Sequence, residues 1–310
     1  MSIETISVIG AGAMGSGIAQ VAAVAGLDVV VIDVTEAALE KGLAAIKAGL
    51  ERLVSNAKLD HAAREAALAR IQISTDYERL ANSDLVIEAV TENVEIKLGI
   101  LKRIESVANG KAVIATNTSS ISITTLAASL ADPTRLVGMH FFNPVPTMQL
   151  VEIICGLQSS AAAAEAVVDL TRRLGKTAVR VKNSPGFAVN RILVPMINEA
   201  FFVLAEGVAT AEEIDAGMRL GANHPIGPLA LADLVGLDVC LSVMDVLHSD
   251  IGDPKYRACP LLRELVRAGR LGRKTGRGVF QYDSSPPERR SRLVSDPNDS
   301  VRPDVEEVMN

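Results

Sequence analysis

The sequence predicts a doubly wound α/β domain followed by an all-α domain. Three observations carry this expectation. Short β-branched runs alternate with helical stretches as far as about Val181, and a glycine cluster separates the first run from the first helix. Beyond Asn183-Ser184-Pro185-Gly186 the strand signals stop.

Ile6 to Ile9 is an apolar run ending at Gly10, followed by a Gly/Ala-rich helical stretch from about Met14 to Ala25. Val29 to Ile32 is a second β-branched run, ending at Asp33. Strand, turn, helix and strand form a βαβ unit, whose crossover makes the two strands parallel. The charged helical stretch from Glu36 to Arg70 exceeds one ordinary helix, and a break is expected near Asn56. Further strands read at Ile71–Ser74, Leu85–Glu88, Val113–Thr116 and Leu136–His140, with helices between them such as Glu95–Val107. Leu150–Cys155 and Ala178–Val181 read as two more strands flanking a helix from Ser160 to Leu174. From Phe187 to about Gly269 helical patterns run between Pro and Gly breaks. The expected domains are therefore residues 1–184 and 185–283, with 284–310, rich in Ser, Pro and charge, as a disordered or loosely docked tail. No repeat at solenoid spacing is present.

A length of 310 residues suits two domains. The net charge of −6 argues against general nucleic-acid affinity, although helix N-termini can still hold small anions. Cys155, Cys240 and Cys259 are odd in number and lack C-x-x-C spacing, so buried thiols in a reducing cytoplasm are the simpler reading. Thr5 to Leu27 carries no charge, but five glycines interrupt it and no basic region precedes it, which disfavours a signal or membrane segment. The four histidines are scattered and no carboxylate cluster joins them, so no metal site is expected.

Gly10-Ala11-Gly12-Ala13-Met14-Gly15 fits G-x-G-x-x-G between a strand and a helix, the context a Rossmann-like dinucleotide loop requires. The first glycine permits the turn, the second lets backbone approach a pyrophosphate, and the third lets the helix pack on the strand. Asp33 ends the next strand, where an acid accepts hydrogen bonds from ribose hydroxyls and repels a 2′-phosphate. NAD is thus favoured over NADP, against the plainer reading of Asp33 as a helix cap.

Larger blocks carry a family resemblance. They are Asn117-Thr118-Ser119-Ser120, His140-Phe141-Phe142-Asn143-Pro144-Val145-Pro146 with Leu150-Val151-Glu152, Pro185-Gly186-Phe187-Ala188-Val189-Asn190-Arg191, Gly221-Ala222-Asn223-His224-Pro225-Ile226-Gly227-Pro228, and Leu271-Gly272-Arg273-Lys274-Thr275-Gly276-Arg277-Gly278. In their order and spacing, from Ile6 to Tyr282, they resemble the L-3-hydroxyacyl-CoA dehydrogenases, and most of all the bacterial members acting on 3-hydroxybutyryl-CoA. The resemblance implies NAD-dependent interconversion of a short-chain (S)-3-hydroxyacyl-CoA and its 3-ketone, in fatty acid or butanoate metabolism. It also implies a homodimer built through the helical domain, whose Ile192–Leu204 and Leu229–Leu247 are rich in apolar residues.

Alcohol oxidation needs a base. His140 is the one histidine at the end of an expected parallel strand, where open α/β sheets bind ligands, though a lone strand-end histidine is more often structural. Its match to the family's base raises it above that reading. Glu152 matches the partner carboxylate. Spacing alone does not bring the two together, since a simple hairpin about Pro144 would pair His140 with Met148. By the same resemblance Ser119 and Asn190 hydrogen-bond the substrate oxygen. Their plainer readings are a helix cap and a surface amide, and Ser120 competes with Ser119. Glu92, Lys97, Asn117 and Lys274 match positions lining the NAD site, together with Ala13 and Met14 of the loop. Lys47, Arg52 and Lys58 are the basic residues available to a coenzyme A tail, and His224 reads as a helix-terminus histidine. Two alternatives remain: a hydroxy acid or sugar acid dehydrogenase of the lambda-crystallin type on the same fold, and a non-catalytic NAD-binding protein.

Overall fold

The computed structural model describes residues 2–282, so the expected tail at 284–310 lies outside the described residues. The chain clusters into two units, one up to Ala188 and one from Val189 onward.

The first unit is built on one eight-stranded sheet. In chain order its elements are β1 (Thr5–Ile9), α1 (Ala13–Val24), β2 (Asp28–Ile32), α2 (Glu36–Ser55), α3 (His61–Ala69), β3 (Ile71–Ser74), β4 (Leu85–Glu88), α4 (Val94–Val107), β5 (Val113–Thr116), α5 (Ile123–Ala127), β6 (Leu136–Phe141), β7 (Leu150–Cys155), α6 (Ala161–Arg173) and β8 (Thr177–Lys182). The strand order is β3-β2-β1-β4-β5-β6-β7-β8. All neighbours are parallel except β6 and β7. The sheet is doubly wound as the alternation of runs predicts. Because β1 lies between β2 and β4, the chain changes direction there, and the crevice at the strands' C-terminal ends opens beside the glycine loop.

Side-chain alternation divides the sheet between two apolar layers. Ile6, Val8, Leu85 and Ile87 pack on the face carrying α1, α2 and α6, whereas Ile9 and Val86 pack with Leu101 and Ile104 of α4 on the other. The strands buried on both faces therefore read as continuous apolar runs. The break expected near Asn56 is present: α2 ends at Ser55, Ala57 turns at φ +54°, and the Asp60 side chain caps α3 by accepting from Ala63 N–H at 2.7 Å.

The second unit is helical among the described residues, with α7 (Val189–Ala205), α8 (Ala211–Gly221), α9 (Pro228–Val235), α10 (Leu237–Ile251) and α11 (Pro260–Arg267). Its core includes Ile197, Phe201, Leu229, Leu237, Met244, Leu247 and Leu262. The closing segment folds back on α9, where the buried Asp233 accepts from Val279 N–H, Phe280 N–H and the Tyr282 hydroxyl at 2.9–3.0 Å. Burial raises the Asp233 pKa although these donors act against it.

Candidate active site

The glycine loop is read most simply by asking what a side chain would meet at each glycine. Gly10 has φ +103°, and a Cβ there would lie 2.6 Å from the Ala89 carbonyl oxygen. At Gly15 it would lie 1.8 Å from the Gly10 carbonyl oxygen, so α1 packs directly on the turn. At Gly12 it would meet nothing within 4 Å. That middle position also N-caps α1 without a side-chain hydrogen bond, leaving its first N–H groups exposed to an anion. A pyrophosphate fits this arrangement. Asp33 faces the loop: Oδ2 accepts from Ala11 N–H and Oδ1 from Val34 N–H, both at 2.7 Å. The carboxylate thus fixes the loop as well as presenting acceptor oxygens beside it.

A second cluster lies at the ends of β4 and β5. One oxygen of Glu92 receives the Thr118 hydroxyl at 2.5 Å, Ser119 N–H at 2.9 Å, the Ser120 hydroxyl at 3.0 Å, Ser120 N–H at 3.1 Å and the Ser119 hydroxyl at 3.3 Å. Five donors exceed what one carboxylate oxygen can accept well. The Ser119 hydroxyl is the most distant of the five. Burial pushes the Glu92 carboxyl upward, but Lys97 and these donors outweigh it and hold the group below its ordinary value. Lys97 is itself 1% exposed and donates to Glu88 at 2.7 Å, while the Thr116 hydroxyl donates to the other Glu88 oxygen at 2.6 Å. Removing one member of so buried a pair costs about 3–5 kcal/mol.

The third cluster comes from the antiparallel pair. His140 on β6 stands directly opposite Glu152 on β7. Nδ1 of His140 lies 2.8 Å from Oε2 of Glu152, and both side chains are buried. The hairpin about Pro144 considered from spacing is therefore not the one formed. The 142–149 connection is longer, because Thr147 and Met148 N–H turn back to the Pro144 carbonyl and Val145 buries itself. Oε1 of Glu152 accepts from Ala188 N–H at 3.0 Å. The imidazole packs against Phe142 and Phe187 at centroid distances of 4.5 and 5.6 Å. A carboxylate oxygen only accepts, so Nδ1 carries the hydrogen and the Nε2 lone pair is the basic one.

Other expected site residues have protein partners. The Asn117 side-chain oxygen accepts from Phe141 N–H at 2.9 Å, joining the Ser119 loop to the histidine strand. Lys274 donates to both oxygens of Asp238 at 2.6 and 2.7 Å. Asn190 lies at the start of α7 in the second unit. Lys47 and Arg52 are exposed on α2, and Lys58 is exposed just after it. His224, between α8 and α9, donates its backbone N–H to the Met218 carbonyl at 3.2 Å. Sequence reasoning passed over Glu88, Thr116, Thr118 and Phe187. For Glu88 and Lys97 a signal existed: Lys97, Leu101 and Ile104 share one helical face, so a lysine buried there needs a buried acceptor.

Among the described residues no group of three or more metal-ligating side chains occurs, and no helix is long and apolar enough to cross a membrane. Cys155, Cys240 and Cys259 are free thiols.

Comparison with known proteins places this geometry in context. Residues 5–184 match the model of the 3-hydroxyacyl-CoA dehydrogenase NAD binding domain, and residues 186–282 that of the 3-hydroxyacyl-CoA dehydrogenase C-terminal domain. A probable 3-hydroxybutyryl-CoA dehydrogenase of Bacillus subtilis is 50% identical over 283 residues, covering 91% of this chain and 99% of that protein. The 3-hydroxybutyryl-CoA dehydrogenase of Bradyrhizobium diazoefficiens is 50% identical over 285 residues, covering 92% and 97%. The crystal structure of (S)-3-hydroxybutyryl-CoA dehydrogenase from Ralstonia eutropha superposes with a TM-score of 0.89 at 57% identity, covering 91% of this chain and all of that one.

Proposed function

The chain belongs to the 3-hydroxyacyl-CoA dehydrogenase family, and from this premise we propose how its own residues carry out the reaction. It is an NAD-dependent oxidoreductase that interconverts 3-hydroxyacyl-CoA and 3-ketoacyl-CoA. Our reading of the substrate is a short-chain (S)-3-hydroxyacyl-CoA such as 3-hydroxybutyryl-CoA, because the relatives at about half identity act on that compound by name.

The single observation that carries the mechanism is the His140–Glu152 contact. Nε2 of His140 takes the proton of the 3-hydroxyl, while Glu152 holds the ring through Nδ1 and balances the positive charge that forms on it. Bound NAD supplies the two-electron acceptor for the hydrogen on carbon 3. Gly10, Gly12 and Gly15, with the N–H groups of Ala13 and Met14, would hold its pyrophosphate, and Asp33 would meet the adenosine ribose. Ser119 donates to the substrate oxygen when its long bond to Glu92 is exchanged for that contact. Asn190 is the second donor by resemblance. Lys97 and Asn117 hold the framework of the first unit through Glu88 and Phe141, and any direct contact of these residues or of Lys274 to the cofactor rests on resemblance. Lys47, Arg52 and Lys58 offer charge to the coenzyme A phosphates. The three unpaired thiols fit a reducing cytoplasm.

The test is a substrate panel followed at 340 nm: acetoacetyl-CoA, longer 3-ketoacyl-CoAs, and free 3-keto and sugar acids. Preference for acetoacetyl-CoA is expected. Preference for a free acid would move the chain to the hydroxy acid dehydrogenases, and silence with every compound would leave cofactor binding alone.

A further inference from the structure

Lys176 stands between α6 and β8 and has been assigned no chemical role above. It is 7% exposed, and its ammonium donates to the Val145 carbonyl at 2.6 Å and the Met148 carbonyl at 2.7 Å. Burial holds it below the usual lysine range, and among the described residues no carboxylate pairs with it to offset the cost. Burying an ammonium without a counter-ion is expensive, so what it holds is informative. Val145 and Met148 both belong to the 142–149 connection that leaves His140's strand and enters Glu152's strand.

Two further contacts fix the same connection. Val145 is 1% exposed, and a Cβ added to Gly17 of α1 would approach the Val145 Cβ to 2.8 Å. The connection therefore lies directly on the helix that begins at the glycine loop. At its end Gln149 accepts from Thr177 N–H at 2.7 Å, one residue after Lys176. A carbonyl pair held by one cation cannot slide along the strand. A shift of register by one residue would turn Glu152 to the opposite face of the sheet.

We propose that Lys176 is a positioning residue for His140, its ammonium closing the 142–149 connection in the one register that sets His140 opposite Glu152. It acts through the connection and touches neither substrate nor cofactor. The inference rests on the proton-transfer role given to His140 for its kinetic readout but not for its spectroscopic one.

The test compares Lys176→Met, which keeps the stem and removes the charge, with Lys176→Arg, which keeps a cation. Each is measured for turnover of acetoacetyl-CoA with NADH, and by NMR for the downfield Nδ1–H resonance of His140, assigned by its loss in His140→Ala. Lys176→Met should lower kcat about tenfold or more with both KM values within about threefold, and should move or broaden the resonance. Lys176→Arg should recover most of both, which a loss of packing alone would not predict. If Lys176→Met does not fold, Gly17→Ala displaces Val145 from the other side and should produce the same paired loss. A folded Lys176→Met, or failing that Gly17→Ala, with kcat within twofold of the parent and an unmoved resonance would overturn the inference. An inactive parent that retains the resonance would instead count against the catalytic reading, and the resonance shift would still decide the role of Lys176.

Discussion

Glu152 on β7 meets His140 on β6 through one oxygen, at 2.8 Å, and Ala188 N–H through the other, at 3.0 Å. One buried carboxylate thus fixes both the His140 ring, the proposed base, and the backbone at Ala188. Loss of its charge would leave the imidazole without orientation and without a balancing anion when it gains a proton.

The glycines of the loop should separate cleanly by substitution. Gly12→Ala should fold with a melting temperature near the parent's, because nothing lies within 4 Å of the added carbon, but it should weaken NADH binding by tenfold or more. Gly15→Ala should fail to fold or lose much of its stability, since the added carbon would sit 1.8 Å from a backbone oxygen. Thermal melts and NADH fluorescence titrations distinguish these outcomes.

Much of this was legible in the residues. The apolar runs mark the central strands because β4, β5 and β6 are buried throughout, and G-A-G-A-M-G followed by Asp33 marks the loop and its carboxylate. The register of β6 and β7 was not legible. It depends on a connection held by Lys176 and Gly17, residues about 30 and 130 positions from Val145 in the chain, which local pattern cannot link. The commitment of Asn117 to Phe141 N–H was hidden for the same reason: it runs from the loop after β5 to the end of β6, residues far apart in the chain. Resemblance named Ser119 but gave no sign that Glu92 gathers three successive residues around it.

On the proposed reading, cofactor choice rests on Asp33. Its carboxylate sits on the loop, and the exposed Val34 beside it supplies no cation for a 2′-phosphate. NADH should be preferred to NADPH by at least tenfold in kcat/KM. Asp33→Asn should narrow that preference, and equal efficiency of the parent with both cofactors would make Asp33 only a support for the loop.

Glu92 gives a pH test. Its folded-state pKa is lowered, so its stabilising contribution is complete above the ordinary value of 4.5 and is lost as pH falls through the lower folded value. Glu92→Gln should therefore melt below the parent at neutral pH, and the gap should close on acidification below about 4.5. A gap that stays constant down to the acid limit would show that the carboxylate's charge does not hold the 118–120 loop.

Assembly can be tested on the second unit, where Ile192, Leu220 and Leu234 are 73%, 82% and 53% exposed. A homodimer built through the second unit should give twice the chain mass by light scattering at micromolar concentration. Ile192→Glu should shift the population toward monomer.

The pair of His140 and Glu152 is tested most directly by a double-mutant cycle on turnover of acetoacetyl-CoA with NADH, in protein shown to be folded and to bind NADH. His140→Ala should lower kcat by about a hundredfold or more. Glu152→Gln should lose much of the same activity, and the double mutant should be little worse than His140→Ala, since two groups acting as one unit cannot be lost twice. Near-parental turnover in His140→Ala, or losses that simply multiply in the double mutant, would contradict the assignment.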